Sequence, residues 1–558
     1  MTMRAYAVRL LALTAAAVNA QAVMSEGDLT LQEQNGAPFA GLTPLQLERF
    51  QTGRIDYQSP ISIEMGSGPG INKSNCGSCH GTGTIIGGPG VIQVTLFGAD
   101  DKGSWVGLEH LGGPLFQLNS ISSECREDIP PEATIVVNRV TLGALAYGLV
   151  EAIPDAELFA LEDPFDSDGD GISGRVHVVE ALEEPGVPRA GRFGWKAQIA
   201  TVLSFSADAA VGEMGFTNRL IPEETAPNGD ELLLAECDTV ADPEDGPDAN
   251  GLDFIDRVTF FQRYLAPPPQ TPRSGMQGAV IFNDIGCAKC HTTTFTTPDD
   301  PALEEVLRDR TFQPYSDFLL HSMGLLADGV RQGNAFESEM RTPPLWGLRW
   351  RDPMLHDGRA AGGTFITRTT DAIQQHGPFG EGADSAAAFA ALSEDDKAAL
   401  FRFLDSLGRN EFDFDGDEDV DLDDFNTFKD CFVLDNVISP EDSCAIGDVD
   451  QDGDVDLVDA GYFLEVFEGD LIDCNDNGVI DLLDILAGTS ADDDANGELD
   501  ECFCLGDINE DGEVDGGDLS TLLGNWNTTA PAADLNHNGL VEGGDLAILL
   551  GEWGSCDS

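Results

Sequence analysis

Two stretches, Cys76-Gly-Ser-Cys79-His80 and Cys287-Ala-Lys-Cys290-His291, place a pair of thiols three residues apart with an imidazole directly after the second. Each use of such a motif demands different surroundings. Structural zinc takes four ligands, commonly two close cysteine pairs or one pair with two further histidines at short spacing. A redox dithiol expects a βαβ context and has no need of the histidine. Covalent haem attachment uses the two thiols and the histidine together.

The motif recurs 211 residues on, and more than the motif is repeated. His110 follows His80 by 30 residues and His321 follows His291 by 30. "NRVTLGALAYG" parallels "MRTPPLWGLRW", and "GWKA" (194–197) parallels "DGRA" (357–360). An internal duplication with one motif in each half implies two similar sites. Neither half supplies a second close ligand pair for zinc. The expectation is therefore two covalent c-type haems, with Cys76, Cys79, Cys287 and Cys290 bound to the vinyl groups and His80 and His291 as the proximal iron ligands.

The N-terminus agrees with that chemistry. Residues 1–22 carry Arg4 and Arg9, the run "LLALTAAAV" and small residues at Ala20 and Ala22. This is the order of a secretory signal peptide. No later stretch reaches the roughly 20 uninterrupted apolar residues of a membrane helix. The expected location is periplasmic or extracellular, where haem c is attached. Eight cysteines remain beyond the haem pairs: Cys125, Cys237, Cys431, Cys444, Cys474, Cys502, Cys504 and Cys556. In an exported chain an even number suggests disulfides, with Cys431 and Cys444 the natural first pair.

The formal charge is -71, and from Glu411 onward Lys429 is the only Lys or Arg. Phosphate contacts need clustered basic residues, so nucleic acid is excluded as a partner. Cations are needed instead. Five twelve-residue stretches meet that need: 413–424, 448–459, 473–484, 507–518 and 534–545. Each places Asp or Asn at positions 1, 3 and 5 and Asp at 12, the EF-hand calcium spacing with Asp for Glu at the end. The candidate calcium ligands are Asp413, Asp415, Asp417 and Asp424; Asp448, Asp450, Asp452 and Asp459; Asp473, Asn475, Asn477 and Asp484. The last two loops add Asp507, Asn509, Asp511 and Asp518, then Asp534, Asn536, Asn538 and Asp545. A sixth, degenerate copy spans 492–503. A separate turn, Asp166, Asp168 and Asp170 in "DSDGDGISGR", is a further oxygen-rich candidate for calcium.

Proline-rich "LAPPPQTPR" (265–273) marks one boundary. The end of the amphipathic run "SEDDKAALFRFLDSL", with Ser393 as helix N-cap, marks another near Gly408–Asn410. The expected domains are 23–270 and 271–410, each with one haem motif, and 411–558.

"NRVTLGALAYGLVEAIPD", "DSDGDGISGRVHVV", "GRFGWKA", "PYSDFLLHSMGLLADG", "RTPPLWGL", "LHDGRA" and "AIQQHG" occur in an order that resembles the bacterial di-haem oxidoreductases. These peroxidases and thiol oxidoreductases are related to the di-haem cytochrome c peroxidases and to the enzyme that matures methylamine dehydrogenase. The resemblance implies a mainly α chain: two tandem cytochrome c-like domains, one haem relaying electrons and the other meeting the oxidant. It places His376 at the distal position of the second haem. Candidate distal ligands of the first are His177 and Met214, with Glu213 and Glu151 as proton carriers and Trp195 or Phe193 as an electron relay. The tail, whose last two full loops are followed but not preceded by a helix, resembles EF-hand-like dockerin type I repeats. The resemblances imply an exported peroxidase supplied by an electron-donor protein or small redox carrier, with a cohesin-like or cell-surface partner for the tail. The alternative is an electron-transfer cytochrome without turnover, tethered by that tail.

Overall fold

The computed structural model describes residues 29–558 except 83–84, 378, 433–436, 476, 493–494, 503–505, 510–512, 537 and 556–558. The signal peptide, the loop residue Asp511 and Cys504 and Cys556 lie outside the described residues. Two compact units emerge, Gln32–Asn410 and Glu411–Ser558, the second also taking in the described residues up to Leu31.

In the larger unit, each cysteine motif sits beside a pair of helices that meet through a glycine. Helix Pro44–Gln58 opens with a Thr43/Gln46 capping box and Pro44 in its first turn, a combination that satisfies orphan N–H groups and presets the backbone. Its Gly53 lies against helix Phe254–Tyr264 so closely that an added Cβ would stand 2.1 Å from the Arg257 carbonyl oxygen. Phe50 and Tyr57 then reach Phe261, with ring centroids 5.2 and 4.9 Å apart. Ahead of the second motif, helix Gln277–Asp284 meets helix Glu394–Ser406 in the same way, a Cβ on Gly278 lying 2.1 Å from the Ala399 carbonyl oxygen. The duplicated plan is thus visible in packing as well as in sequence.

The mainly α expectation is corrected. Among the described residues there are 15 helices, but the chain is only 36% helix and 12% strand. The long strand Gln93–Asp101 pairs antiparallel with Ser104–Val106, Leu115–Phe116 and Ile135–Val140. Six two-stranded ribbons accompany this sheet among the described residues. The physical cause is local. "IVVNRV" is rich in β-branched side chains and alternates in burial along its first four residues, which suits a half-buried pleated surface and not a helix, and "QVTLFGADD" pairs with it from Gln93 to Gly98. The sheet lies between the first motif and the segment that completes its site. The first half is therefore not a simple small cytochrome.

A disulfide joins Cys125 to Cys237 across 112 residues of this unit. Closing a loop of that length restricts the unfolded chain, so a double Cys125→Ser, Cys237→Ser variant should lose about 2–5 kcal/mol of stability. Denaturant titration under oxidising conditions checks this, and a loss below about 0.5 kcal/mol would contradict it.

In the smaller unit, helices Leu422–Cys431, Leu457–Val466, Gly516–Gly524 and Gly543–Gly551 begin inside the acidic repeats. Loop positions 9 and 12 are their N-cap and N3 residues: Asp421 with Asp424, Asp456 with Asp459, Asp515 with Asp518, Glu542 with Asp545. Each pair forms a reciprocal capping box. Phe412, Phe425, Phe428 and Phe463 fill the core between the first two of these helices. Disulfides join Cys431 to Cys444 and Cys474 to Cys502.

Candidate functional site

Around the first motif, a single 3-10 turn, Cys76–Ser78, is capped by the Asn75 side chain, which accepts from the Ser78 N–H at 2.7 Å. The turn brings the His80 N–H to the Cys76 carbonyl at 2.9 Å. The His80 ring then directs Nδ1 to the Leu142 carbonyl at 2.6 Å. A carbonyl can only accept, so Nδ1 carries the proton and Nε2 keeps its lone pair. Burial pushes this imidazole down to about 4.

The second motif repeats the geometry. Gly286 caps the turn Cys287–Lys289 from the left-handed region, with φ 87°, a conformation glycine adopts at no steric cost. The His291 N–H reaches the Cys287 carbonyl at 2.9 Å, and His291 Nδ1 donates to the Tyr315 carbonyl at 2.8 Å. Burial holds this ring at about 4 as well. His376 ends the Phe365–Gln375 helix and donates from Nδ1 to the Ala372 carbonyl at 2.8 Å. His291 and His376 line one cavity of about 1350 Å³, open mouth included, together with Cys287, Cys290 and mostly apolar side chains. Among the described residues, Nε2 of His80, His291 and His376 has no hydrogen-bond partner.

Glu213 stands beside the first motif. Its helix, Val202–Met214, stops at Gly215 (φ +56°), where a Cβ would lie 2.5 Å from the Gly68 carbonyl oxygen. The Glu213 carbonyl accepts from the Asn72 N–H at 2.7 Å, and its carboxylate accepts from Asn72 Nδ2 at 2.8 Å. Asn72 is itself oriented, because its Oδ1 accepts from the Leu118 N–H at 2.9 Å. Burial raises Glu213 to about 7; burial also raises the Cys76 and Cys79 thiols, and the Glu213 charge adds to both.

The other candidates are differently placed. Glu151 is engaged structurally: one oxygen accepts from the Val202 N–H at 2.8 Å and the other pairs with Arg263 at 2.7 Å. His177 donates from Nδ1 to the Lys196 carbonyl at 2.7 Å and accepts the Asn334 N–H on Nε2 at 3.1 Å, leaving no nitrogen for iron. Met214 is buried in the apolar core with Phe193. Trp195 lines the second cavity, donates from Nε1 to the Val140 carbonyl at 2.8 Å and meets the His356 ring edge-on at 6.0 Å. His110 is exposed. Its counterpart His321 is buried between Asp317 and Glu381, 2.8 Å from each, and is raised well above its usual value. Burial opposes that rise, and Asp317 together with the Cys290 sulfur overcomes it.

Side chains of Asp166, Asp168 and Asp170 converge within 4.8 Å, as do those of Asp413, Asp415 and Asp424. Lys289 of the second motif pairs with Asp170 at 3.1 Å. In four tail loops the position-12 carboxylate accepts the N–H of position 2 or 3: Phe414 to Asp424, Val449 to Asp459, Asn509 to Asp518 and Asn536 to Asp545. Loop 473–484 departs from this register, since the Cys474 N–H donates to Asp481 and the helix Asp481–Ala487 begins at Asp481 itself, with Ile480 as its N-cap. Burial raises Asp459 to about 8 and Asp424 and Asp448 to about 6.

Sequence reasoning missed Asn72, Asp317 and Glu381, which reach Glu213, Cys290 and His321 only through folding. Arg341 and Arg351 carried a usable signal, being charges inside the otherwise apolar "MRTPPLWGLRWR".

The family model described as "Di-haem oxidoreductase, putative peroxidase" matches residues 117–407. The matched stretch contains the second motif and His376 and begins after the first. A MauG-like protein associated with microbial copper homeostasis is similar at 14% identity, covering 68% of this chain and 94% of that one, with a TM-score of 0.30. Hydrazine synthase of Kuenenia stuttgartiensis is similar at 13% identity, covering 70% and 92%, with a TM-score of 0.29. No curated protein sequence matches the chain. With over half of its residues matched by the family model, the chain belongs to the di-haem oxidoreductases.

Proposed function

We propose that the protein is an exported c-type di-haem peroxidase, taking electrons at the second site and delivering them to peroxide or a related oxidant at the first. The observation that carries this reading is the matched pair of motif histidines, each with Nδ1 spent on a backbone carbonyl and Nε2 unbonded. That is the donor arrangement of an imidazole ready to bind a metal. The apolar cavity walled by Cys287, Cys290, His291 and His376 suits a flat macrocycle held at both faces.

A c-type haem supplies a one-electron couple and, where a coordination position is open, a place for an oxidant. The chain supplies the rest. Cys76 and Cys79 hold one haem and Cys287 and Cys290 the other. His291 and His376 complete the second site and leave it suited to electron transfer. Glu213 accepts or returns a proton at the first site, positioned by Asn72. Trp195 joins the second cavity to the strand end that leads to Leu142, the His80 acceptor. An electron-donor protein or small redox carrier supplies the electrons.

The test is an absorption spectrum of the holoprotein with and without reductant and hydrogen peroxide. Two haems per chain, one of them high-spin and peroxide-reactive after reduction, are expected. Two low-spin haems with no peroxide consumed would favour the electron-transfer cytochrome. His376→Gly should alter the spectrum of one haem only, converting it from low-spin, and a spectrum unchanged at both haems would sink the ligand assignment.

The same reading assigns calcium to loops 413–424, 448–459, 507–518 and 534–545 and to the Asp166–Asp170 turn. Carboxylates that converge, as at Asp166, Asp168 and Asp170 and at Asp413, Asp415 and Asp424, repel one another when ionised and are stabilised together by a cation. The tail then serves as a calcium-stiffened spacer or as a docking module for a cohesin-like or cell-surface partner.

A further inference from the structure

Two arginines in the larger unit, Arg341 buried and Arg351 half-buried, have no counter-charge among the described residues. Arg341, at the end of strand Glu339–Arg341, donates from Nε to the Gly194 carbonyl at 2.6 Å and from Nη1 to the Thr342 carbonyl at 3.1 Å. Arg351 donates from Nη2 to the carbonyls of Pro344 and Trp346 at 2.9 and 3.3 Å, and its buried Nε has no partner. Among the described residues, no carboxylate lies within ion-pair distance of either group, whereas the buried Arg139 pairs with Asp328 and Arg192 with Asp155. Carbonyl oxygens solvate a guanidinium without neutralising it. A buried charge left so is unfavourable unless a ligand balances it.

Their position says which ligand. Both groups line the cavity of His291 and His376. Both also border a smaller cleft with Leu142, the residue that fixes His80. Arg351 reaches a third cleft, beside Val140 and Trp195. Burial lowers both to about 10, and the Arg351 charge adds to the lowering at Arg341.

We propose that Arg341 and Arg351 form a carboxylate seat, shared by the two sites, that receives haem propionates. The proposal rests on the two-haem reading above. A guanidinium fork matches a carboxylate in two parallel hydrogen bonds, and Arg351 Nε is a donor already waiting. A positive pair bordering both sites stabilises the reduced, less positive iron in each.

The experiment is a spectroelectrochemical titration of the holoprotein, with haem content measured on the same samples. Arg351→Gln should move the Fe(III)/Fe(II) equilibrium of at least one haem about tenfold toward ferric, roughly 59 mV for a one-electron couple, while Arg351→Lys should return most of that shift. Two haems per chain with both equilibria within twofold of the parent in Arg351→Gln would overturn the seat alone. Absence of haem from the parent protein would overturn the cofactor reading and the seat with it. Should Arg351→Gln fail to fold, redox-difference infrared spectra of the parent with carboxyl-labelled haem decide the matter. Label-sensitive bands of ionised, hydrogen-bonded carboxylate are expected, and label-sensitive bands of protonated acid would overturn the proposal. Carboxylate bands that ignore the label would assign the seat to a free anion and overturn it equally.

Discussion

Glu213→Gln should cut peroxide turnover about 10²–10⁴-fold, the range by which a positioned acid/base group accelerates proton transfer, with haem content and spectra intact. Of the two carboxylates that sequence suggested, only this one is available, since Glu151 is tied to Arg263 and the Val202 N–H. A carboxyl raised by burial to about 7 is poised between its forms near neutral pH. The parent enzyme should therefore lose kcat/KM as the pH falls through about 7, and that limb should vanish in the variant. Stability separates a catalytic role from a structural one. A carboxyl raised in the fold binds more protons there than in the unfolded chain, so it weakens the fold as the pH rises above about 4.5. Glutamine carries no such penalty. Unfolding midpoints at pH 8 should be equal or higher in Glu213→Gln, and a lower midpoint with unchanged turnover would remove Glu213 from the mechanism.

The second large effect is expected from chelation. Each calcium loop occupied at a hundredfold excess over its Kd adds about 2.7 kcal/mol to folding, so stripping calcium should unfold the tail at a far lower temperature. The pH dependence has a definite sign. Burial, assisted by Asp450 and Asp448, raises Asp459 to about 8, and burial raises Asp424 and Asp448 to about 6. With no cation these groups take up protons on folding, so the stripped tail should gain stability as the pH falls from about 8 toward 4 and lose it as the pH rises. Calcium should abolish that slope by stabilising the ionised forms. Calorimetry of the full chain with chelator and with excess calcium, at pH 5 and pH 8, checks both. An unfolding profile indifferent to chelator at pH 8 would remove calcium from the tail.

Much of this was legible in the chain because it is local. The turn of each cysteine motif follows from five consecutive residues, and twelve consecutive residues place the capping pair in four of the tail loops. The sheet is written in the β-branched run "IVVNRV", but its partner "QVTLFGADD" has no alternation in burial that would mark it as a strand. Asn72 and Glu213 were out of reach as a pair, since 141 residues separate them and only the Gly215 close approach brings them together. Asp317 and Glu381 on the two sides of His321 pose the same difficulty. Loop 473–484 fits the calcium pattern on paper, yet its helix uses Asp481 where the other loops use position 12, a choice that spacing alone does not reveal.

The carbonyls that hold the two motif histidines come from different places: Leu142, just beyond the last sheet strand, and Tyr315, only 24 residues past its own histidine. Hydrogen bonding at Nδ1 governs how strongly an imidazole donates to a metal. The two motifs thus share their turn and differ in what holds their histidines. On the di-haem reading proposed above, a mutation that shifts the sheet should retune the first site and spare the second, whereas one near Tyr315 should do the reverse, so the two sites can be adjusted one at a time.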